Sequence, residues 1–240
     1  MLFTGDNKCD SKATTADASF GCGWLLFGHT FAACGEHDQA AASYRTAVRL
    51  CPASHVPLLC LAQEMLAVGS HADAVQCLDS ARELCDRDPL VLNEYGAAAF
   101  QQKQFADARR YLEHAESLLT AQMHASVLEL VNNNLAHALR CLQFVLPFLS
   151  HSVSHFSCVV GVDSDYDGAL AHFRKCLTLA AGRRRRASVL CSMAFVHHIT
   201  GDYATALAEY NQSLALQQDN ALATELLNLC LADAYAASTI

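Results

Sequence analysis

Positive charge is scarce in this chain of 240 residues: 16 Lys and Arg stand against 24 Asp and Glu, a formal net charge of −8. That balance argues against a general nucleic-acid surface. Proline is rarer still, at 4 residues, while 52% of the side chains are apolar, enough for a sizeable core. Residues 1–20 are polar and mixed in charge, with no apolar run after a basic start. No secretory signal is expected there, and the segment is expected to be poorly ordered. Catalytic signatures are missing too: there is no Gly-x-Ser-x-Gly, no His-Glu-x-x-His and no phosphate-cradling Gly-rich loop, and Gly21-Cys22-Gly23 is too short to count. The 12 Cys include no Cys-x-x-Cys pair and no Cys/His cluster at zinc-ligand spacing. Neither a cofactor nor a metal is expected.

What is present is a pattern over residues 24–52: Trp24, Phe27-Gly28, Phe31, Ala40, Tyr44, Ala47 and Pro52. Trp24, Phe27 and Phe31 fall on one face of a first helix at i, i+3 and i+7. Gly28 is small where a neighbouring helix must come close. Ala40, Tyr44 and Ala47 form the facing stripe of a second helix, and Pro52 ends it for lack of an N–H. This is the tetratricopeptide (TPR) pattern, which recurs every 34 residues. The period predicts an all-α TPR solenoid, a right-handed superhelix of helix-turn-helix units.

Carried forward, the period gives repeats at 21–54, 55–88 and 89–122. Leu58, Leu61-Ala62, Met65, Ala74, Leu78 and Ala81 are in phase in the second. Leu92, Tyr95-Gly96, Ala99, Ala108, Leu112 and Ala115 are in phase in the third. Pro89 suits a helix start, the last helix of the third repeat reads on through Thr120, Ala121 and Gln122, and the link 123–128 reads as either extended helix or loop. The fourth repeat, 129–183, begins near Glu129 and carries Leu135-Ala136 and Leu139. Its phase breaks and resumes at Asp165-Tyr166-Asp167-Gly168-Ala169, matching Asp202-Tyr203-Ala204-Thr205-Ala206 of a fifth repeat at 187–220. The alignment leaves 144–164 as an insertion of 21 residues, either a surface loop or a translated intron. Residues 221–240 read as a capping helix and tail. Cys51 and Cys85 share a phase in consecutive repeats and read as reduced thiols of an intracellular protein.

Three strings invite sharper readings. The stretch from Cys141 to Val162 carries no formal charge, but Pro147, His151, His155 and four Ser argue against a membrane span. Glu36-His37-Asp38 places three ionisable groups together; its phase puts it at the turn into a second helix, where acidic residues complement the helix dipole. Arg183 to Arg186 could form a nuclear-import or phosphate-binding patch, and its place between repeats favours a solvated turn.

The strings Gly28-His29-Thr30-Phe31-Ala32, Glu36-His37-Asp38-Gln39-Ala40, Asp88 to Gly96 and Asn133-Asn134-Leu135-Ala136-His137 are more specific than generic TPR. They resemble the TPR scaffold subunit six of the anaphase-promoting complex, over 21–143 and 165–220. The resemblance implies a non-catalytic scaffold of a ubiquitin ligase in mitosis, found in nucleus and cytoplasm. Its partners would be other subunits of that complex, with the N-terminal segment of a small subunit held in the concave groove. No nucleic acid or membrane would be bound. In that family the N-terminal repeats make a homodimer; no counterpart of them is read here, so dimerisation is expected only where those repeats are present. A general adaptor or cochaperone is the alternative. Cochaperones of this fold clamp acidic peptides with Lys and Arg, which are missing from 21–34, 55–68 and 89–102.

In a TPR superhelix the first helix of each repeat lines the groove. The inward positions are Leu25, His29 and Ala32; Leu59, Gln63 and Leu66; Asn93, Ala97 and Phe100; Asn133, His137 and Arg140; and Cys191, Phe195 and His198. Asn93 and Asn133 share a phase, and an amide can pair with any peptide backbone.

Overall fold

The computed structural model describes residues 19–120, 122–141 and 165–238. The expectations for 144–164 and for residues 1–18 lie outside these. The chain divides into two compact units, Met1–Leu118 and Leu119–Ile240. All regular structure among the described residues is helical.

The first unit holds α1 (Gly21–Ala33), α2 (His37–Leu50), α3 (Val56–Ala67), α4 (His71–Leu84), α5 (Pro89–Gln101) and α6 (Phe105–Ser117). Each odd helix packs on the next as a hairpin, and α2 and α4 pack onward against α3 and α5. Small residues set the crossings. A Cβ on Gly28 would lie 2.3 Å from the Tyr44 ring, and one on Gly96 would lie 2.5 Å from Leu112. Ala40, Ala62, Ala74 and Ala108 have no exposure at all. Between helices the turn residue is left-handed at 34-residue intervals: Gly35 at φ +78, Gly69 at +79 and Lys103 at +62. Lys103 carries a Cβ where its two counterparts avoid one.

Two apolar clusters result. Tyr44, Leu61, Met65 and Leu66 form one with the crossing alanines; Leu59, Leu78, Val91 and Tyr95 form the other. Polar caps fix the hairpin order. Asp88 accepts a hydrogen bond from the Leu90 N–H at 2.8 Å and lies 2.7 Å from His55 Nε2, so one carboxylate caps α5 and ties it to the start of α3.

The second unit holds α7 (Ala125–Cys141), α8 (Tyr166–Leu179), α9 (Arg183–Ile199), α10 (Tyr203–Leu216) and α11 (Ala221–Ser238). Each packs on its successor. Asp165 and Asp202 cap α8 and α10 by accepting from Gly168 N–H at 2.7 Å and Thr205 N–H at 3.2 Å. Phe173, Cys176, Ala206, Tyr210, Ala223 and Cys230 are fully buried. Helix α11 meets α10 through Ala223 and Cys230, while Leu222 and Tyr235 remain 60% and 74% exposed.

Three boundaries differ from the sequence reading. Helix α6 stops at Ser117, where the Leu118 N–H turns back to Ala115 O at 3.2 Å, and does not run through Thr120 and Gln122. Helix α7 starts at Ala125, four residues before Glu129. The third concerns Arg183–Arg186, which are the first turn of α9 and not a connecting turn; Gly182 at φ +108 breaks the chain just before them. Among the described residues no disulfide forms, no helix is long and apolar enough to cross a membrane, and no three His, Cys, Asp or Glu group as metal ligands.

Candidate partner-binding faces

On the first unit the first helices α3 and α5 each carry a buried acid. Glu64 is buried and lies 2.8 Å from His37 Nδ1, at the start of α2. Glu94 is buried and accepts two hydrogen bonds on Oε1, from Gln63 Nε2 at 3.1 Å and Asn93 Nδ2 at 3.2 Å. Burial raises the Glu94 carboxyl above its ordinary value, although both amides favour the charged form. Cys60, one turn before Glu64 on α3, has its thiol pushed up to about 11 by burial, with Glu64 and Glu94 adding repulsion. His29 sits edge-on to Tyr44, 2.8 Å from its hydroxyl; burial lowers its pKa and Glu64 opposes that.

The second unit gathers base and aromatic groups instead. Arg140 Nη2 donates to His137 Nδ1 at 3.2 Å, so that nitrogen is the acceptor, and the guanidinium lies 5.1 Å from the centre of the Phe195 ring. Burial, reinforced by Arg140, lowers His137 to about 4. The His137 ring stands edge-on to Phe173, and His198 Nε2 lies 2.9 Å from Asp233, joining α9 to α11. Arg140 Nε and Tyr210 Oη are buried without a hydrogen-bond partner among the described residues.

The structure separates the groove positions read from the sequence into three groups. His29 and Gln63 are exposed. Leu25, Ala32, Ala97, Phe100, Asn133, His137, Arg140 and Phe195 are half-buried. Leu59, Leu66, Asn93, Cys191 and His198 are buried, and this corrects the expectation that they line an open face. Leu59, Leu66 and Cys191 belong to the apolar clusters, because first helices pack on two sides within a stack. His198 is held by Asp233. Asn93, 1% exposed, donates its amide to Glu94. Sequence reasoning missed Glu64 and Glu94. Their one signal is that Glu64 is the sole charge of α3 and Glu94 the sole charge of α5.

Paired helices of 12 to 17 residues with alanine or glycine at each crossing make this a tetratricopeptide-repeat protein. The tetratricopeptide-repeat family matches residues 23–54. Beyond the repeat class, the similarity is to one subunit. The chain is 33% identical over 227 residues to anaphase-promoting complex subunit 6 of Arabidopsis thaliana, covering 93% of this chain and 36% of that protein. It is 30% identical over 222 residues to anaphase-promoting complex subunit cut9 of Schizosaccharomyces pombe, covering 92% of this chain and 30% of that protein. The crystal structure of the APC/C hetero-tetramer Cut9-Hcn1 superposes with a TM-score of 0.81 at 29% identity, over 95% of this chain and 40% of that one. The resemblance read from the four strings therefore holds. The chain spans about a third of the length of the curated relatives it matches.

Proposed function

We propose that the chain acts as a non-catalytic TPR scaffold within the anaphase-promoting complex, a ubiquitin ligase of mitotic cells, in nucleus and cytoplasm. The observation that carries this reading is the match to subunit 6 relatives across 93% of the chain. The partners are other subunits of that complex. One is a small subunit, as the pairing of Cut9 with Hcn1 in the similar structure suggests.

The faces suited to a peptide are those whose side chains are left accessible by packing. On the first unit these are Leu25, His29, Gln63, Ala97 and Phe100. On the second they are Asn133, His137, Arg140 and Phe195. Arg140 supports the second face: its half-buried guanidinium lies beside the Phe195 ring and can donate to a bound peptide carbonyl. Buried Glu64 and Glu94 disfavour the cochaperone reading, since an acidic peptide on the first unit would meet carboxylates.

Titration of the chain with the N-terminal peptide of the small subunit tests the proposal. Arg140→Gln should weaken binding roughly tenfold, as loss of a charge-assisted hydrogen bond does. Saturable binding that Arg140→Gln leaves unchanged would remove Arg140 from the site. No binding by the folded wild-type chain would overturn the peptide-binding reading.

A further inference from the structure

Four consecutive arginines form the first turn of α9, and all four side chains are exposed. This is the positive end of the helix dipole, where cations are disfavoured and where neighbouring guanidinium groups also repel one another. One of the four is compensated: Arg185 Nη1 donates to buried Glu129 at 3.1 Å. Arg183, Arg184 and Arg186 have no ion pair among the described residues. Carboxylates are not in short supply in this unit. Its described residues carry Asp165, Asp167, Asp202, Glu209, Asp219, Glu225 and Asp233 besides Glu129, against Arg140, Arg174 and Lys175 outside the tetrad. Most of its positive charge is therefore concentrated in one turn that packing does not require.

We propose that Arg183, Arg184 and Arg186 dock a phosphorylated segment of a partner polypeptide, one phosphoserine or phosphothreonine per site. A phosphate monoester brings a charge near −2 and three acceptor oxygens. The guanidinium fork matches these in pairs, and Arg has no acceptor of its own to compete. Beside Arg183 and Arg184 the end of α10 forms a shallow recess; with Arg183, Leu216, Gln217, Gln218 and Asp219 line about 450 Å³. Gln217 and Gln218 offer amides to a peptide backbone, and Leu216 offers an apolar contact. Asp219 selects against an extended polyanion. A nucleic acid carries a charge every few ångströms and would meet that carboxylate on leaving a patch one helical turn long. A single phosphate on an otherwise uncharged strand would not. This docking site does not depend on the partner-binding faces of the preceding section.

The test uses the full chain and two bead-bound peptide libraries, one with fixed phosphoserine or phosphothreonine between randomised flanks and its unphosphorylated twin. Wild-type chain should be retained roughly tenfold more on the phosphorylated library, the scale of one charge-assisted pair. Arg183→Gln/Arg184→Gln/Arg186→Gln, which keeps Arg185, should lose that preference. Its melting temperature should be equal or higher, because three charges are removed from the wrong end of a dipole. Equal retention on both libraries, or a preference that survives the triple substitution, would overturn the proposal. Two further outcomes would also overturn it: inorganic phosphate displacing the library at a concentration equal to free phosphopeptide, or tighter binding of duplex DNA or phosphatidylserine vesicles. The first would make the site a free-anion site and the second a polyanion surface.

Discussion

Between Gly21 and Gln101 the first helices of the hairpins contain no Lys or Arg, and two carboxylates, Glu64 and Glu94, lie buried among them. In α7 and α9 the same role in the hairpin falls to helices carrying His137, Arg140 and His198 around Phe173 and Phe195. The crossings hardly differ: Gly28, Ala62 and Gly96 in one unit, Ala136 and Ala194 in the other, all buried. Small crossing residues fix how helices approach, and the remaining inner positions are free to take either electrostatic character. One hairpin design thus supports an acidic face and a basic-aromatic face.

The largest expected effect would break the second face from beneath. Phe173 has no exposure and walls the His137 ring. Phe173→Ala should cost about 3–5 kcal/mol. Hydrogen exchange should accelerate in α7 to α10 before it does in α1 to α6. Uniform acceleration would show that the two units do not respond separately.

Acid should next act with opposite signs on the buried histidine of the second face and the buried carboxylates. His137 titrates near 4 when folded, against 6.5 ordinarily. Its contribution is complete above pH 6.5 and is lost as pH falls toward 4, up to roughly 3 kcal/mol at 1.4 kcal/mol per pKa unit. Glu94 has the opposite sign: raised when folded, it favours the fold below its unfolded pKa and ceases to as pH rises through its folded value. Glu209, raised to about 7 by burial, acts with Glu94 although it sits in the second unit. Urea melts of wild type and His137→Gln at pH 7 and pH 4.5 isolate the histidine, since both proteins share the glutamates. The variant should lose less stability on acidification.

Smaller effects follow in the first unit. Ala40→Leu should overpack the crossing by roughly 1–3 kcal/mol; a wild-type urea midpoint would contradict the close approach of α1 to α2. Asn93→Ala should cost about 1–2 kcal/mol by depriving buried Glu94 of a donor, whereas Asn133→Ala at the half-buried matching position should cost less. Equal melts would erase that asymmetry. Lys103→Gly should raise stability by up to about 1 kcal/mol, because it frees a left-handed turn of its Cβ; no change in midpoint would mean the Lys side chain offsets its strain.

The repeat was legible because its period is rigid. Phe27-Gly28 and Tyr44 could be placed against each other from spacing alone, and the Gly28–Tyr44 contact follows. What decides a buried carboxylate is not local. Glu64 meets His37, 27 residues away, and Glu94 meets Gln63, 31 away. No periodicity in either helix announces those partners. Asn93 and Asn133 share a phase in sequence and differ in burial, one buried and one half-buried. Trp24, the residue that made the first repeat recognisable, is only half-buried, so truncating it should cost less than a core aromatic would. Arg183–Arg186 are solvated as their charge implies, but they start a helix because its start is set by backbone geometry at Gly182, which the four arginines do not announce.

The thiols give this fold a built-in chemical ruler. Cys60 and Cys176 are buried with thiols pushed up to about 11 and about 12, and Cys141, Cys191 and Cys230 are buried and raised as well. Cys22 and Cys34, at either end of α1, are exposed. Alkylation at neutral pH proceeds through the thiolate, so among the described residues those two label first. Each later site of labelling, located by peptide mapping with mass spectrometry, then records which helix has opened: Cys60 reports on α3, Cys141 on α7, Cys176 on α8, Cys191 on α9 and Cys230 on α11. A single alkylation time course can therefore order the unfolding of both units without any engineered probe.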